Sequence, residues 1–145
     1  MKINLKVTNE TAPLKSVILG IADDRGKVQG INPLIRKHIK ENTLPKDEDI
    51  RKEIKSFEKV LKQANVNVLR PENIRETEQI FTRDIGFVID DLFFVANMKH
   101  PVRRREFAGI AQQIDQIVKE DKRIDIPEGT SVSYTHLTLP TTPYV

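Results

Sequence analysis

Apolar residues recur along the chain in short bursts separated by charged text, and the spacing inside each burst predicts most of the secondary structure. Lys2–Val7 and Leu14–Gly20 are brief runs rich in Ile, Leu and Val, the second ending at a glycine, and both read as strands. Residues 21–32 are polar, with Gly26 and Gly30 among them, and read as a mobile loop. Asn32-Pro33 offers an N-cap and then a proline at the first helical position, which predicts a short helix over Leu34–Lys40. A longer helix is predicted to begin near Pro45. Asp47, Glu48 and Asp49 fall in its first turn, where the macrodipole favours anions, and Ile50, Ile54, Phe57, Leu61 and Ala64 share one face. Asn65 reads as its terminator and Val66–Leu69 as the strand that follows, so strand, helix and strand suggest parallel pairing. Ile85–Ile89 and Leu92–Ala96, joined by Asp90-Asp91, read as a hairpin without the favoured Asp-Gly turn. A second amphipathic helix presents Phe107, Ile110, Ile114, Ile117 and Val118 on one face, and Ile124-Asp125-Ile126 starts one more strand.

Composition narrows the class of molecule. At 145 residues, 38% hydrophobic and 31% charged, the chain is expected to form one domain with a real core. No apolar run approaches the ~20 residues that span a bilayer, and the N-terminus lacks a continuous apolar secretory segment, so no membrane insertion and a cytoplasmic location are expected. Cysteine is absent, which removes disulfides, thiolate ligands and any thiol nucleophile from this chain. The net charge of +3 is a small excess with both signs interspersed, and does not by itself imply nucleic acid. No glycine-rich phosphate loop and no His/Asp/Glu group at metal spacing stands in the text, so no cofactor and no metal are expected.

The C-terminal text has a different character. From Gly129 to Val145 there is no Asp, Glu, Lys or Arg, and the composition becomes rich in Ser, Thr and Pro. The run Val132-Ser133-Tyr134-Thr135-His136-Leu137-Thr138-Leu139-Pro140-Thr141 resembles a codon-by-codon translation of a transposon-type sequencing adapter. Residues 1–131 are therefore expected to be the genuine text and 132–145 a non-native tail in which Tyr134, His136 and Tyr144 carry no function.

Two segments carry candidate chemistry. In Gln79-Ile80-Phe81-Thr82-Arg83-Asp84-Ile85-Gly86-Phe87-Val88-Ile89 an Arg-Asp pair stands immediately before a buried-looking strand, where a sheet presents side chains to a crevice. A local ion pair at a strand end is the plainer alternative. In Pro101-Val102-Arg103-Arg104-Arg105-Glu106 three cations crowd a helix start that already bears partial positive charge, an arrangement an anion bound at the helix end would explain. The plainer alternative is that Arg104 and Arg105 splay into solvent or pair with Glu106.

Taken together, Phe81-Thr82-Arg83-Asp84, the apolar strand and hairpin after it, and the Arg-Arg-x-Glu phrase resemble the first module of the guanidine-modifying superfamily. That superfamily comprises arginine deiminases, amidinotransferases and dimethylarginine dimethylaminohydrolases. The opening Asn9-Glu10-Thr11-Ala12-Pro13-Leu14-Lys15-Ser16-Val17-Ile18-Leu19-Gly20 is similar to the first strand and active-site loop of bacterial members. The resemblance implies an α/β fold made of the first ββαβ module or modules of a five-module pseudo-propeller (pentein-like), incomplete here. It implies that Asp84 binds the guanidinium group of a small arginine-like substrate and that Arg103 holds the substrate carboxylate. Glu78 stands where dimethylarginine hydrolases carry another acidic substrate contact. It further implies a cysteine nucleophile, a histidine acid/base and an orienting acid in later modules. His38, His100 and His136 match none of that motif and no cysteine is present, so no turnover by this chain is expected.

The resemblance does not separate deimination, amidino transfer and dimethylamine release, and oligomeric state is not legible. Two rivals remain: a small basic nucleic-acid-binding module using Arg103–Arg105, which requires steeply salt-dependent binding, and a natural noncatalytic fragment that binds arginine-like ligands. Sequencing the source locus beyond Glu128 is expected to reveal a continuation carrying Glu-Gly-Gly-Asp, His and Cys. A genuine stop codon after Val145 would contradict the truncated-enzyme expectation.

Overall fold

The structure, a computed structural model, describes residues 3–9, 11–30, 33–127, 129 and 130. The expected N-cap at Asn32 and the expected non-native tail, 132–145, lie outside those residues. In chain order the elements are β1 (Ser16–Ile18), α1 (Pro33–Glu41), α2 (Asp47–Gln63), β2 (Asn67–Leu69), β3 (Gly86–Ile89), β4 (Leu92–Val95), α3 (Pro101–Arg104), α4 (Ala108–Ile117) and β5 (Arg123–Asp125). This is the mixed α/β architecture expected, with small sheets. No helix among the described residues is long and apolar enough to cross a membrane.

The first sheet is the parallel pair β1–β2, in register Val17↔Val68, with α1 and α2 between its strands in sequence. Asn65 ends α2 as expected. It adopts φ 58°, its N–H donates to the Lys62 carbonyl at 3.0 Å and the Val66 N–H donates to Leu61 at 3.0 Å, so the last carbonyls are satisfied by a Schellman motif. The apolar face of α2 is narrower than its periodicity suggests. Leu61 is buried and Ile50 and Ile54 are half-buried, whereas Ala64 is exposed and Phe57 keeps 53% of its surface. The sheet beneath is only two three-residue strands wide, so it cannot cover the full stripe.

In the second sheet, β3 and β4 form the expected hairpin, in register Phe87↔Phe94, and β5 lies parallel to β4. Asp90 adopts φ 53° at the hairpin connection, a left-handed conformation that Asp tolerates better than most residues, and the Phe87 and Phe94 rings stack at 5.1 Å. With α4 between β4 and β5, these elements form one ββαβ unit. Its core is Ile85, Phe93, Ile110, Ile114 and Val118, with Phe107 and Ile117 packed against it, so the apolar spacing of the second helix is realised in full. Leu5 and Ile18 join this core from the N-terminal side.

Two expectations are corrected. Residues 3–7 keep the in-and-out alternation of a strand, with Ile3 and Leu5 half-buried, but among the described residues no neighbouring strand lies along them. Only Val7 pairs, exchanging N–H···O bonds with Asp90 at 2.7 and 2.8 Å. The predicted strand over Leu14–Gly20 contracts to Ser16–Ile18 because β2 offers only three residues to pair with.

Just after β1 the backbone makes its closest approach to the segment that will matter for function. A Cβ on Gly20 would lie 2.0 Å from the Ile80 carbonyl oxygen and 2.5 Å from that of Gln79. Gly20→Ala is therefore expected to destabilise the protein by about 1–3 kcal/mol, the usual cost of overpacking, measured by urea denaturation. An unchanged midpoint would show that this contact is not tight.

Candidate functional site

The residues between Thr77 and Asp84 form no strand, yet they are firmly held. Gln79 is buried and uses both ends of its amide. Its Oε1 accepts from the Ile74 N–H at 2.7 Å, and its Nε2 donates to the Glu72 carbonyl at 2.8 Å. Thr82 Oγ1 donates to the Ile18 carbonyl at 2.8 Å, fastening the segment to the end of β1. A single turn of 3₁₀ helix, Thr82–Asp84, then delivers Asp84 to the threshold of β3.

Across from it stands Arg103. The three arginines do not sit in the first turn of the long helix, as the periodicity implied. α3 ends at Arg104, a 3₁₀ turn over Arg105–Phe107 follows, and only then does α4 begin. Arg104 and Arg105 are exposed, as the plainer alternative had it, and the arginine that pairs with Glu106 is Arg103: Nε donates to Oε1 and Nη2 to Oε2, both at 2.9 Å, in the parallel fork that suits guanidinium and carboxylate. Its Nη1 donates to Asp84 Oδ2 at 3.0 Å. Arg104 donates to the Met98 carbonyl at 3.0 Å.

Glu106 is 0% exposed, and its Oε1 also accepts the Glu78 backbone N–H at 3.2 Å. Burial pushes its carboxyl pKa up, and the hydrogen bonds and charge of Arg103 pull it only part of the way back. For Arg103, burial opposes the charge, but Glu106 and then Asp84 outweigh it and the guanidinium is held above its ordinary pKa. Asp84 Oδ1 is buried and has no hydrogen-bond partner among the described residues. The cluster thus holds two carboxylates against one guanidinium, with one acceptor unused.

The Glu78 side chain pairs separately. Its Oε1 accepts from Arg25 Nη1 at 3.2 Å, and Arg25 also holds Asp47 on α2. Arg25, Lys27, Glu76, Glu78, Arg103 and Arg105 line a cleft of about 220 Å³. Asp84 is not among its walls and meets it through Arg103.

So of the three residues singled out by sequence, Asp84 and Arg103 touch directly, and Glu78 joins them through its backbone and Glu106. Sequence reasoning named Glu106 only as a possible partner of the arginines beside it, and it missed Arg25. The i,i+3 spacing of Arg103 and Glu106 was a usable signal for the first. Nothing in the polar loop marked Arg25.

The family model of eukaryotic N,N-dimethylarginine dimethylhydrolase matches residues 28–134, well over half of the chain. Among solved structures, SxtG, an amidinotransferase from Microseira wollei in the saxitoxin biosynthetic pathway, is similar with a TM-score of 0.67 at 16% identity. The likeness covers 86% of this chain and 42% of that one, so the chain spans less than half of that amidinotransferase's length. No curated protein sequence matches.

Removing Arg103 would leave Asp84 and Glu106 with no cation between them. Arg103→Met is expected to cost about 3–5 kcal/mol of stability. Because the Glu106 pKa is raised on folding, the folded state binds a proton where the unfolded state has released it. Unfolding free energy should therefore fall as pH rises from the ordinary glutamate value to the raised one. Glu106→Gln is expected to flatten that slope in urea titrations across this window, and an unaltered slope would contradict the assignment.

Proposed function

The chain belongs to the N,N-dimethylarginine dimethylhydrolase family, within the guanidine-modifying superfamily, and from that premise we propose that it is the N-terminal portion of an enzyme acting on the guanidinium group of arginine-like substrates. The observation that carries the proposal is the Asp84 carboxylate, with one oxygen on Arg103 and the other buried and unused. A buried cluster with one more carboxylate than cation favours the arrival of a further cation, and a planar guanidinium supplies parallel N–H donors with permanent charge.

In this reading Asp84 accepts from the substrate guanidinium through Oδ1, and Glu78 adds a second acidic contact. Arg103 holds the substrate carboxylate with the N–H groups that Glu106 and Asp84 leave on Nη1 and Nη2. The cleft that Arg103 and Glu78 line also carries Lys27 and Arg105, whose positive charge supports a ligand with an anionic end, and Asp84 borders it through Arg103. The ββαβ unit is read as one of the modules of a five-module pseudo-propeller, the remainder of which would supply the nucleophile.

The chain has no cysteine, so the thiolate that attacks the guanidinium carbon, the histidine that moves protons, and the acid that orients it are assigned to sequence beyond this chain. By itself the chain binds substrate without converting it. In the full-length enzyme restored from the source locus, Asp84→Asn and Arg103→Ala are each expected to raise KM by about tenfold or more, the loss of one charge-assisted contact. Near-normal kinetics in both variants would defeat the proposed roles.

A further inference from the structure

Arg25 lies in the irregular segment between β1 and α1, yet its side chain is only 7% exposed. Arginine is rarely buried without partners that hold it, and here the partners come from two directions. Nε donates to Asp47 Oδ1 at 2.8 Å, Nη2 donates to the same oxygen, and Nη2 also reaches the Pro45 carbonyl at 3.3 Å. These contacts fix the guanidinium against the start of α2. The remaining nitrogen, Nη1, extends to Glu78 Oε1 at 3.2 Å.

The loop backbone is tied to the same stretch. The Ile21 N–H donates to the Gln79 carbonyl at 3.1 Å and the Glu76 N–H donates to Asp24 at 3.0 Å. Gly26, at φ 61°, has no room for a Cβ beyond 3.1 Å from Glu76. Loop, α2 start and Glu76–Gln79 segment therefore form one unit with Arg25 at its centre.

We propose that Arg25 is a positioning residue for the guanidinium end of the substrate: it engages Glu78 Oε1 inside the protein and leaves Oε2, which has no hydrogen bond among the described residues, to meet a substrate N–H. The inference rests on the guanidinium-binding reading given above. It adds that selectivity for a guanidinium over a plain aliphatic amino acid is set from the loop, by a residue that does not touch the substrate. A planar fork is required to grip Asp47 and Glu78 at once. Lysine, a point charge on a flexible stem, cannot do both with fixed geometry.

The test uses the 145-residue chain, titrated by NMR with L-arginine and with L-norvaline, which keeps the amino and carboxylate groups and lacks the guanidinium. Arg25→Met is expected to lower the arginine-over-norvaline preference about tenfold, the scale of one charge-assisted hydrogen bond. Arg25→Lys, the variant to rely on if Arg25→Met does not fold, is expected to lower it to a similar degree. In a Glu78→Gln background the Arg25 substitutions should add nothing further, because both act on one contact. A general structural role would weaken both ligands alike and leave the preference intact. That outcome, or an unchanged preference, overturns the assignment of Arg25 while leaving the guanidinium-binding reading standing. If the wild-type chain binds arginine no better than norvaline, the guanidinium-binding reading fails and this proposal fails with it.

Discussion

A single buried guanidinium holds the functional end of this molecule together. Arg103 meets Glu106 through a two-pronged contact and Asp84 through a third nitrogen, and Glu106 in turn accepts the backbone N–H of Glu78. Three stretches of chain converge on that one group: the 3₁₀ turn before β3, the α3 region, and the irregular segment around Glu78. Taking such charges out of water costs several kcal/mol per ion unless geometry and hydrogen bonds compensate. The fork at 2.9 Å and the additional N–H on Glu106 supply part of that compensation for one carboxylate, whose pKa stays raised. Asp84 is compensated on one oxygen only, and the proposed ligand role rests on that asymmetry.

The scaffold holding Asp84 is equally specific. Gln79 uses both ends of its amide within its own loop, Thr82 reaches back to Ile18, and Gly20 lets the chain after β1 pass against the Gln79 and Ile80 carbonyls. The site therefore stands where the two sheets are joined, with the ββαβ core of Ile85, Ile110 and Ile114 directly behind it.

Much of this was legible from residue spacing. Both amphipathic helices, the hairpin, the parallel pairing of β1 with β2 and the left-handed stop at Asn65 follow from periodicity and local backbone preference. What failed were features decided by distant partners. The alternation at Ile3, Leu5 and Val7 could not say whether a neighbouring strand existed, and the stripe on α2 could not say how much of it a two-stranded sheet would cover. Asp84 and Arg103 came from resemblance to a motif, whereas their mutual contact is a tertiary fact. Arg25 was illegible because a loop cation is exposed by default, and only the fold places Asp47 and Glu78 on either side of it.

The pairing of β1 with β2 bears on how the chain acquires its shape. Its partners, such as Val17 and Val68, are about fifty residues apart in sequence, whereas the β3–β4 hairpin closes within a few. Loop-closure entropy penalises the first kind of pairing and barely touches the second. The hairpin half can consequently organise early and independently, while the N-terminal sheet must await the formation of α2, which shortens the tether its strands have to close. Asp84, Arg103 and Glu106 of the carboxylate cluster lie in the hairpin half in sequence, though Thr82 fastens that cluster to Ile18 of the other sheet. The guanidinium that grips Glu78 from the loop arrives with the later-forming N-terminal sheet, so this clasp would be among the last features of the native state to assemble.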